Sequence, residues 1–417
     1  MRYDLVIIGA GAAGLFAAAN APLGWNTLVL EKTAAPGQKL LLAGSGQCNV
    51  TKAGAISDFL ARYGKQGKRL RPVLFPFSNR ALMAYFEQRG LPLETRSDGK
   101  VFPASFESQD VLQCLLAEAQ ARGVKFQYHA AVTEISPRDG AEGFVLSTSD
   151  GAFLTKRVLV ATGGASYPKT GSDGTFFDVL AQLGLTLVPR RPALAPIFVK
   201  DYPYTELSGI SFQNAAITIT PKADRRPIRT TGDLLLTHRG FSGPAILESS
   251  RYVAQGDKLE VNYLPGQDTA ALRRTLLTAA TGDQRQIATL LESLTGLPRR
   301  FLERICQRAN LAPLEKAARL SGREMGALSV LLTADAYEIT GTGGFAVAMV
   351  TAGGVDLEEV ELRTMESRRY PGLYFAGEVL DVDGDTGGYN LQFAFSAAMR
   401  NIEAMQADSS DASPASR

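Results

Sequence analysis

Residues Tyr3 to Glu31 read YDLVIIGAGAAGLFAAANAPLGWNTLVLE. Leu5 to Ile8 is an unbroken apolar run, as expected of a strand buried on both faces. Gly9, Gly11 and Gly14 follow at the spacing G-x-G-x-x-G, and the small residues from Leu15 to Ala19 open a helix. A second apolar run, Thr27 to Leu30, ends at Glu31. Each glycine has its own task. Gly9 permits the tight turn out of the strand, Gly11 lets a diphosphate approach the backbone, and Gly14 lets the helix lie close on the sheet. The helix start offers unpaired N–H groups and a positive dipole end to that diphosphate. Glu31 is placed to accept hydrogen bonds from a ribose, and its charge disfavours a 2′-phosphate, which argues against NADP as the bound nucleotide. The fingerprint by itself does not separate FAD from NAD.

The rest of the chain bounds the answer. Its 417 residues exceed one comfortable core, so more than one domain is expected. A formal net charge of +2 gives no sign of nucleic-acid binding. Cys48, Cys114 and Cys306 are scattered and form no C-x-x-C motif, which fits a reducing cytosol. Two histidines, His129 and His238, lie far apart, so no metal site is expected. The chain opens on an expected strand, so no cleavable leader is expected, and no run of about twenty apolar residues suggests a membrane span.

Along the chain, residues 32–52 read as a glycine- and serine-rich loop that can wrap a cofactor with backbone N–H groups, although an ordinary surface loop reads equally well. A helix over Phe77–Arg89 is capped by Ser78 or Asn79, a hairpin turns at Asp98-Gly99, and a helix covers Ser108–Arg122. Strands follow at Lys125–His129, Val132–Ile135, Gly143–Ser147 and Phe153–Thr155, with turns at Asp139-Gly140 and Asp150-Gly151. Val158–Ala161 reads as a further buried strand, and Thr162-Gly163-Gly164 follows it, where an open α/β sheet binds ligands. The first part of the nucleotide domain, residues 1–190, closes near Arg190. Residues 191–265, rejoined by about 335–345, read as a small antiparallel β domain. Within it His238 is a candidate donor to a substrate, although a capping or packing role reads as well. Residues 266–334 are helical by pattern, including Leu314–Leu320. The last part, 346–405, returns to the nucleotide domain with a strand at Phe345–Thr351, a strand at Leu373–Ala376 followed by Gly377-Glu378, and a glycine-rich turn into a helix over Leu391–Met399. Residues 406–417 read as a disordered tail.

The stretches VIIGAGAAG, GQKLLLAGSGQCNVT, ATGGASYPKTGSDG, THRGFSGPAIL, AMVTAGGVDL and TMESRRYPGLYFAGEVLDVDGDTGGYNLQFAFSAA resemble the BaiN/RdsA-type family of FAD-dependent oxidoreductases. The resemblance spans the chain and implies a glutathione-reductase-like FAD domain interrupted by a β domain and a helical insert. It implies FAD as the tightly bound nucleotide. Gly9, Gly11, Ala13 and Gly14 would line the diphosphate, and Glu31, with Lys32 beside it, the adenosine ribose. Gln38, Lys39, Gly46, Cys48 and Asn49 fall in the family's second FAD loop, where many members carry arginine at the positions of Gln38 and Gln47. Val132 would meet the adenine through its backbone. Thr162, Gly163, Gly164, Gly377, Glu378, Gly388, Tyr389, Asn390 and Leu391 would surround the ribityl chain and ring. The resemblance fixes the cofactor better than the reaction; the leading reading is hydride transfer between flavin N5 and a small organic substrate, an enone or another unsaturated carbonyl compound, with NAD(P)H as a donor that would bind transiently or not at all and Tyr389 and His238 as the candidate catalytic groups. The rivals are a flavoprotein acting on a macromolecule such as tRNA and a flavin-binding protein without turnover.

Overall fold

The computed structural model of the chain describes residues 2–138, 141–222 and 225–411. The Asp139-Gly140 turn expected from the sequence lies outside the described residues. The chain separates into two compact units, one running to Pro192 and resuming at Ala348, the other spanning Ala193–Val347.

In the first unit, strand β1 (Arg2–Ile8) carries the apolar run, and Leu5 to Ile8 are all at most 4% exposed. It pairs in parallel with β2 (Thr27–Leu30) on one side and with the long strand Gly151–Val160 on the other. The strand β3 (Lys125–Gln127) extends the sheet beyond β2. Strands β4 (Val132–Pro137), β5 (Phe144–Thr148) and β6 (Gly151–Val160) form an antiparallel meander. The parallel order is therefore β3-β2-β1-β6, completed by β7 (Leu373–Phe375) beside β6. The chain works outward from β1 to β3 and then returns on the other side at β6. The order thus reverses between β1 and β6, and the crevice beyond their carboxyl ends is where such a sheet takes a ligand.

The sequence suggested two strands, Phe153–Thr155 and Val158–Ala161, where the structure has the single strand β6. The reason is β1, which pairs with it through the expected break from Leu154 to Val160, while on the other side residues 151–155 pair with β5 and 158–160 with β7. The expected strand Phe345–Thr351 is displaced to Val350–Val355, paired with Leu187–Ala193. Val347 and Met349, which made the earlier segment look apolar, are 46% and 44% exposed. Gly353 explains the new position: at φ +91°, a Cβ there would stand 2.4 Å from the Pro189 carbonyl oxygen.

Helix α1 (Ala12–Ala19) packs its small residues on this sheet, and α2 (Gln38–Leu42) lies in the following loop. The closing helix α3 runs Tyr389–Asp411, well past Met399 and through part of the stretch expected to be a disordered tail. Its apolar face explains the length, since Ile402 and Met405 are buried at 2% and 0% exposure. Phe16 of α1 meets Phe395 of α3 and Tyr85 of the helix Asn79–Glu87 at ring separations of 4.9 and 4.7 Å. Aromatic side chains dominate the energetics of such a core, each burying a large apolar area. Ser78 caps the helix Asn79–Glu87 by accepting the Ala81 N–H. The expected hairpin is present as Leu93–Thr95 and Lys100–Pro103, with Thr51–Lys52 as a third strand.

The second unit is a closed antiparallel barrel. Its strands run Ile197–Val199, Phe241–Ser242, Ile228–Leu236, Ser211–Thr220, Lys258–Asn262 and Asp335–Thr342, and the last pairs with the first. Closure removes the exposed strand edges. Alternate residues Ile217 and Ile219, and Leu234 and Leu236, point inward. Helices Thr269–Ala280, Ile287–Thr295, Arg299–Arg308 and Gly322–Thr333 share that apolar core. Phe301 sits 4.7 Å from both Phe212 and Tyr263. The helix expected at Leu314–Leu320 is reduced to the 3₁₀ turn Ala317–Arg319. The backbone there pairs instead with residues 283–287, through Ile287 N–H to Glu315 and Ala317 N–H to Arg285. Among the described residues, no helix is long and apolar enough to cross a membrane.

Candidate functional site

The three glycines of the fingerprint meet three different surroundings. Gly9 has φ +100°, and a Cβ there would lie 2.7 Å from the carbonyl oxygen of Ala161, where β6 ends. A Cβ on Gly14 would lie 1.9 Å from the Gly9 carbonyl oxygen, so this glycine sets the distance between α1 and β1. Gly11 has open space on its Cβ side, with nothing within 4 Å. No side chain caps α1, and its first turn carries no acid. The helix start therefore presents uncapped N–H groups, with room above them at Gly11.

Glu31 is 8% exposed at the end of β2. Its Oε2 accepts the Ala10 N–H at 2.7 Å, and its Oε1 accepts both the N–H and the hydroxyl of Thr33 at 2.8 Å. A carboxylate oxygen accepts about two hydrogen bonds, so Oε2 keeps one position for a ligand hydroxyl. The loop after β6 is folded back beside it: a Cβ on Gly171 would stand 2.8 Å from the Thr33 methyl and 3.9 Å from Glu31 Oε1. Lys32 is held there by Asp173 at 2.6 Å. Burial works to raise the Asp173 carboxyl, but the Lys32 ammonium and the Thr175 donors outweigh it, and the acid is held below its usual range. Ala130 N–H donates to the Glu31 carbonyl, which brings the entry of β4 to the same place. Val132 itself begins β4 with its side chain buried.

Deeper in the crevice, residues far apart in sequence converge. Lys39 of α2 contacts Glu378 at 2.6 Å. The other Glu378 oxygen accepts the Thr351 N–H at 2.7 Å. The Thr351 hydroxyl oxygen accepts the Ala165 N–H at 2.8 Å and the Ser166 N–H at 3.2 Å. Gly164 passes between them: a Cβ there would lie 2.3 Å from Thr351 Oγ1 and 2.7 Å from Glu378 Oε1. Gly377, at φ +79°, turns β7 toward α1, and its Cβ would lie 3.1 Å from that of Ala13. Asn49, in the amide orientation that satisfies both ends, donates to Val101 and Thr51 and accepts the Gly388 N–H at 3.0 Å. Asn390 folds back on Gly384, accepting its N–H at 2.8 Å and donating to its carbonyl at 3.0 Å. This shapes the glycine-rich turn into α3.

Other predicted residues sit differently. Cys48 is fully buried, and burial pushes its thiol up to about 12. Gly46 lies in the turn after α2, bonding backbone to backbone with Ala43 and Ser108. Gln38 and Leu391 are half-buried at the starts of α2 and α3. Tyr389 is 5% exposed, its ring 4.9 Å from that of Phe59, and the Tyr63 hydroxyl donates to its carbonyl. His238 belongs to the second unit, exposed on the turn before Phe241–Ser242. Three groups that sequence reasoning did not assign are Thr351, Ser172 and Asp173. The signal for the last two was present, a hydroxyl and an acid soon after Thr-Gly-Gly; Thr351 stands in the quoted stretch AMVTAGGVDL, with nothing there to give it a role.

Do these residues fit an FAD? Two buried hydroxyls at the site, Thr162 Oγ1 and Ser172 Oγ, have no hydrogen-bond partner. Ser172 faces Gly163, whose Cβ would lie 3.1 Å from its hydroxyl. Such groups are costly unless a ligand satisfies them. With the open Gly11 position and the uncapped α1, the lining is short of a polar, anionic ligand. The residues fit.

The family of HI0933-like protein Rossmann domains matches residues 3–403. The chain belongs to that family. The chain is 31% identical to the ribosomal RNA dihydrouridine synthase of Escherichia coli K12, over 95% of this chain and 96% of the relative. It is equally 31% identical to the 3-dehydro-bile acid delta(4,6)-reductase of Clostridium scindens, over 93% and 95%. Among solved structures, the 3-ketosteroid-delta4-(5alpha)-dehydrogenase of Rhodococcus jostii aligns with a TM-score of 0.52 at 17% identity, covering 97% of this HI0933-like chain and 96% of that one. The E. coli quinol fumarate reductase subunit FrdA gives 0.52 at 16% identity, covering 100% and 72%. At such identities these two structures speak for the fold alone.

Proposed function

We propose that this HI0933-like protein saturates a carbon–carbon double bond conjugated to a carbonyl, on a small organic substrate. The supporting observation is the crevice itself, whose unpartnered Thr162 and Ser172 hydroxyls and open α1 start suit a flavin nucleotide. The relatives' names add the reaction class. A delta(4,6)-reductase acting on a 3-dehydro bile acid and a dihydrouridine synthase both describe loss of a double bond in conjugation with a carbonyl. FAD, when bound, supplies the hydride chemistry.

The chain's own residues do the rest. The first N–H groups of α1 hold the diphosphate, with Gly11 leaving the room. The remaining Glu31 acceptor position takes a ribose hydroxyl, and its charge keeps a 2′-phosphate out. Thr162 and Ser172 complete their hydrogen bonding on the cofactor. Conjugate reduction also needs a proton at the carbon next to the carbonyl. Tyr389 and His238 are the proposed sources. Tyr389→Phe and His238→Asn should each be assayed with flavin content checked; unchanged turnover in both removes them from the reaction. NAD(P)H is the proposed donor; the sequence carries a single dinucleotide fingerprint, which the flavin nucleotide would take, so a second nucleotide would bind only transiently. A reducing cytosol is the proposed setting for the three free cysteines, Cys48, Cys114 and Cys306.

A second reading puts the double bond in a uridine of ribosomal RNA, because two of the curated relatives carry that name. The test uses photoreduced protein without oxygen, mixed separately with a 4-en-3-one steroid and with ribosomal RNA. Reoxidation by the enone with formation of the saturated ketone supports the first reading. Dihydrouridine in the RNA, with no response to enones, supports the second. Reoxidation by neither overturns the reaction class.

A further inference from the structure

We propose that Lys39 and Glu378 form an opposed pair of charges that sets the reduction potential of the flavin, Lys39 raising it and Glu378 restraining it. This rests on the reading of the crevice as a flavin site.

Three features carry the inference. The first is place. Glu378 follows Gly377, which lies against Ala13 of α1 at the ends of the parallel strands. Lys39 follows Gly37, whose N–H donates to the Ala10 carbonyl in the turn out of β1. The pair therefore stands in the strand-end crevice, where ligands bind in this kind of sheet. The second is rigidity. Glu378 is fixed by Lys39 at 2.6 Å and by the Thr351 N–H at 2.7 Å, and Gly164 packs so close that a Cβ there would stand 2.7 Å from its Oε1. Thr351 is in turn pinned by the Ala165 and Ser166 N–H groups. The third is desolvation. The two side chains are 24% and 19% exposed, so their fields are less screened than those of surface charges.

A half-buried ion pair is weak evidence for a stabilising role, because desolvation offsets the attraction. Its placement suggests an electrostatic task instead. Gain of a hydride leaves an isoalloxazine anionic, so a fixed ammonium nearby favours the reduced form over the oxidised one. A lysine has three donors, and one is engaged by Glu378, leaving two directed away from it. The carboxylate opposes the same charge and keeps the potential from rising too far.

The experiment is a spectroscopic redox titration of the FAD-loaded protein and the variants Lys39→Met, Lys39→Arg and Glu378→Gln. Flavin content is measured for each. Lys39→Met should weaken binding of reduced relative to oxidised flavin at least tenfold, a fall in midpoint potential of about 30 mV for a two-electron couple. Glu378→Gln should raise the midpoint, and Lys39→Arg should restore most of the loss. Midpoints that stay with wild type at full flavin content overturn the proposal. So does loss of FAD from Lys39→Met combined with an unmoved Glu378→Gln, which would make Lys39 a phosphate anchor. A wild-type protein that takes up no flavin would instead sink the underlying reading of the crevice.

Discussion

Replacing Gly14 with alanine separates the structural glycine of the fingerprint from the ligand-facing one. The new Cβ would sit 1.9 Å from the Gly9 carbonyl oxygen, whereas real contacts essentially never fall under 3.0 Å. That oxygen belongs to the backbone and cannot rotate aside, so α1 must lift from β1 by about 1 Å. Overpacking of this kind costs about 1–3 kcal/mol. Alanine returns up to about 1 kcal/mol through its better helix propensity. A net loss of about 1–2 kcal/mol remains, a fall of about 2–8 °C in melting temperature at the slope usual for domains of this size. Gly11→Ala is the control. Gly11 has φ −81° and ψ −169°, which any residue adopts, and nothing lies near its Cβ position. Its apoprotein should melt with wild type, yet it should lose FAD, because the methyl fills the space left for the diphosphate. Melting followed by circular dichroism, on protein stripped of flavin to exclude ligand stabilisation, measures the first effect. The 450 to 280 nm absorbance ratio after reconstitution measures the second. If Gly14→Ala apoprotein melts with wild type, or Gly11→Ala keeps full FAD, the division of roles among these glycines is wrong.

Three further outcomes follow from particular contacts. Cys48, its thiol pushed up to about 12 by burial, should resist iodoacetamide in the native protein at pH 8 and react on unfolding; rapid native labelling by mass spectrometry would contradict its buried position. In the second unit, Arg308 makes a bidentate pair with Asp335, which also accepts from the hydroxyls of Tyr204, Tyr263 and Tyr337. Arg308→Met leaves that carboxylate, 1% exposed, without its counter-ion and should cost about 3–5 kcal/mol in denaturant unfolding, with an unchanged midpoint counting against the ion pair. Burial acts to raise Glu359, but the Thr186 hydroxyl and N–H donors and Arg369 hold it below its usual range. Its folded value is depressed, so its stabilisation is full above the unfolded value, about 4.3 for a glutamate, and is lost as pH falls from there through the folded one. Glu359→Gln should flatten the acid limb of the stability profile, and an unaltered slope would remove Glu359 as a contributor.

How much of this was legible beforehand follows the range of the interactions. The strand, turn and helix at the start of the chain are local, and β1, Gly9, Gly14, α1 and Glu31 stand where their spacing puts them. The cap of the helix Asn79–Glu87, left between Ser78 and Asn79 by the sequence, is Ser78 for the same reason. Long-range pairing was the blind side. The break expected inside β6 vanished because β1 pairs across it, from Leu154 to Val160, which no window of ten residues records. The strand at Val350–Val355 was misplaced because glycines do not look like strand formers, and only the crowding of Gly353 by Pro189 makes them necessary. In the site, Lys39 and Glu378 were each picked out, but their pairing across 339 residues depends on the sheet order. Thr351 lies inside the quoted stretch AMVTAGGVDL, but nothing in that stretch gives it a role; its importance comes from the Gly164 turn packed against it.

The most direct test of the account is an anaerobic spectrum of the purified protein followed through one cycle. The account predicts flavin bands near 450 nm that bleach on reduction and recover when a conjugated enone, or uridine-containing ribosomal RNA, is added. A protein that stays colourless after incubation with FAD, or a reduced flavin that no conjugated acceptor reoxidises, would contradict it.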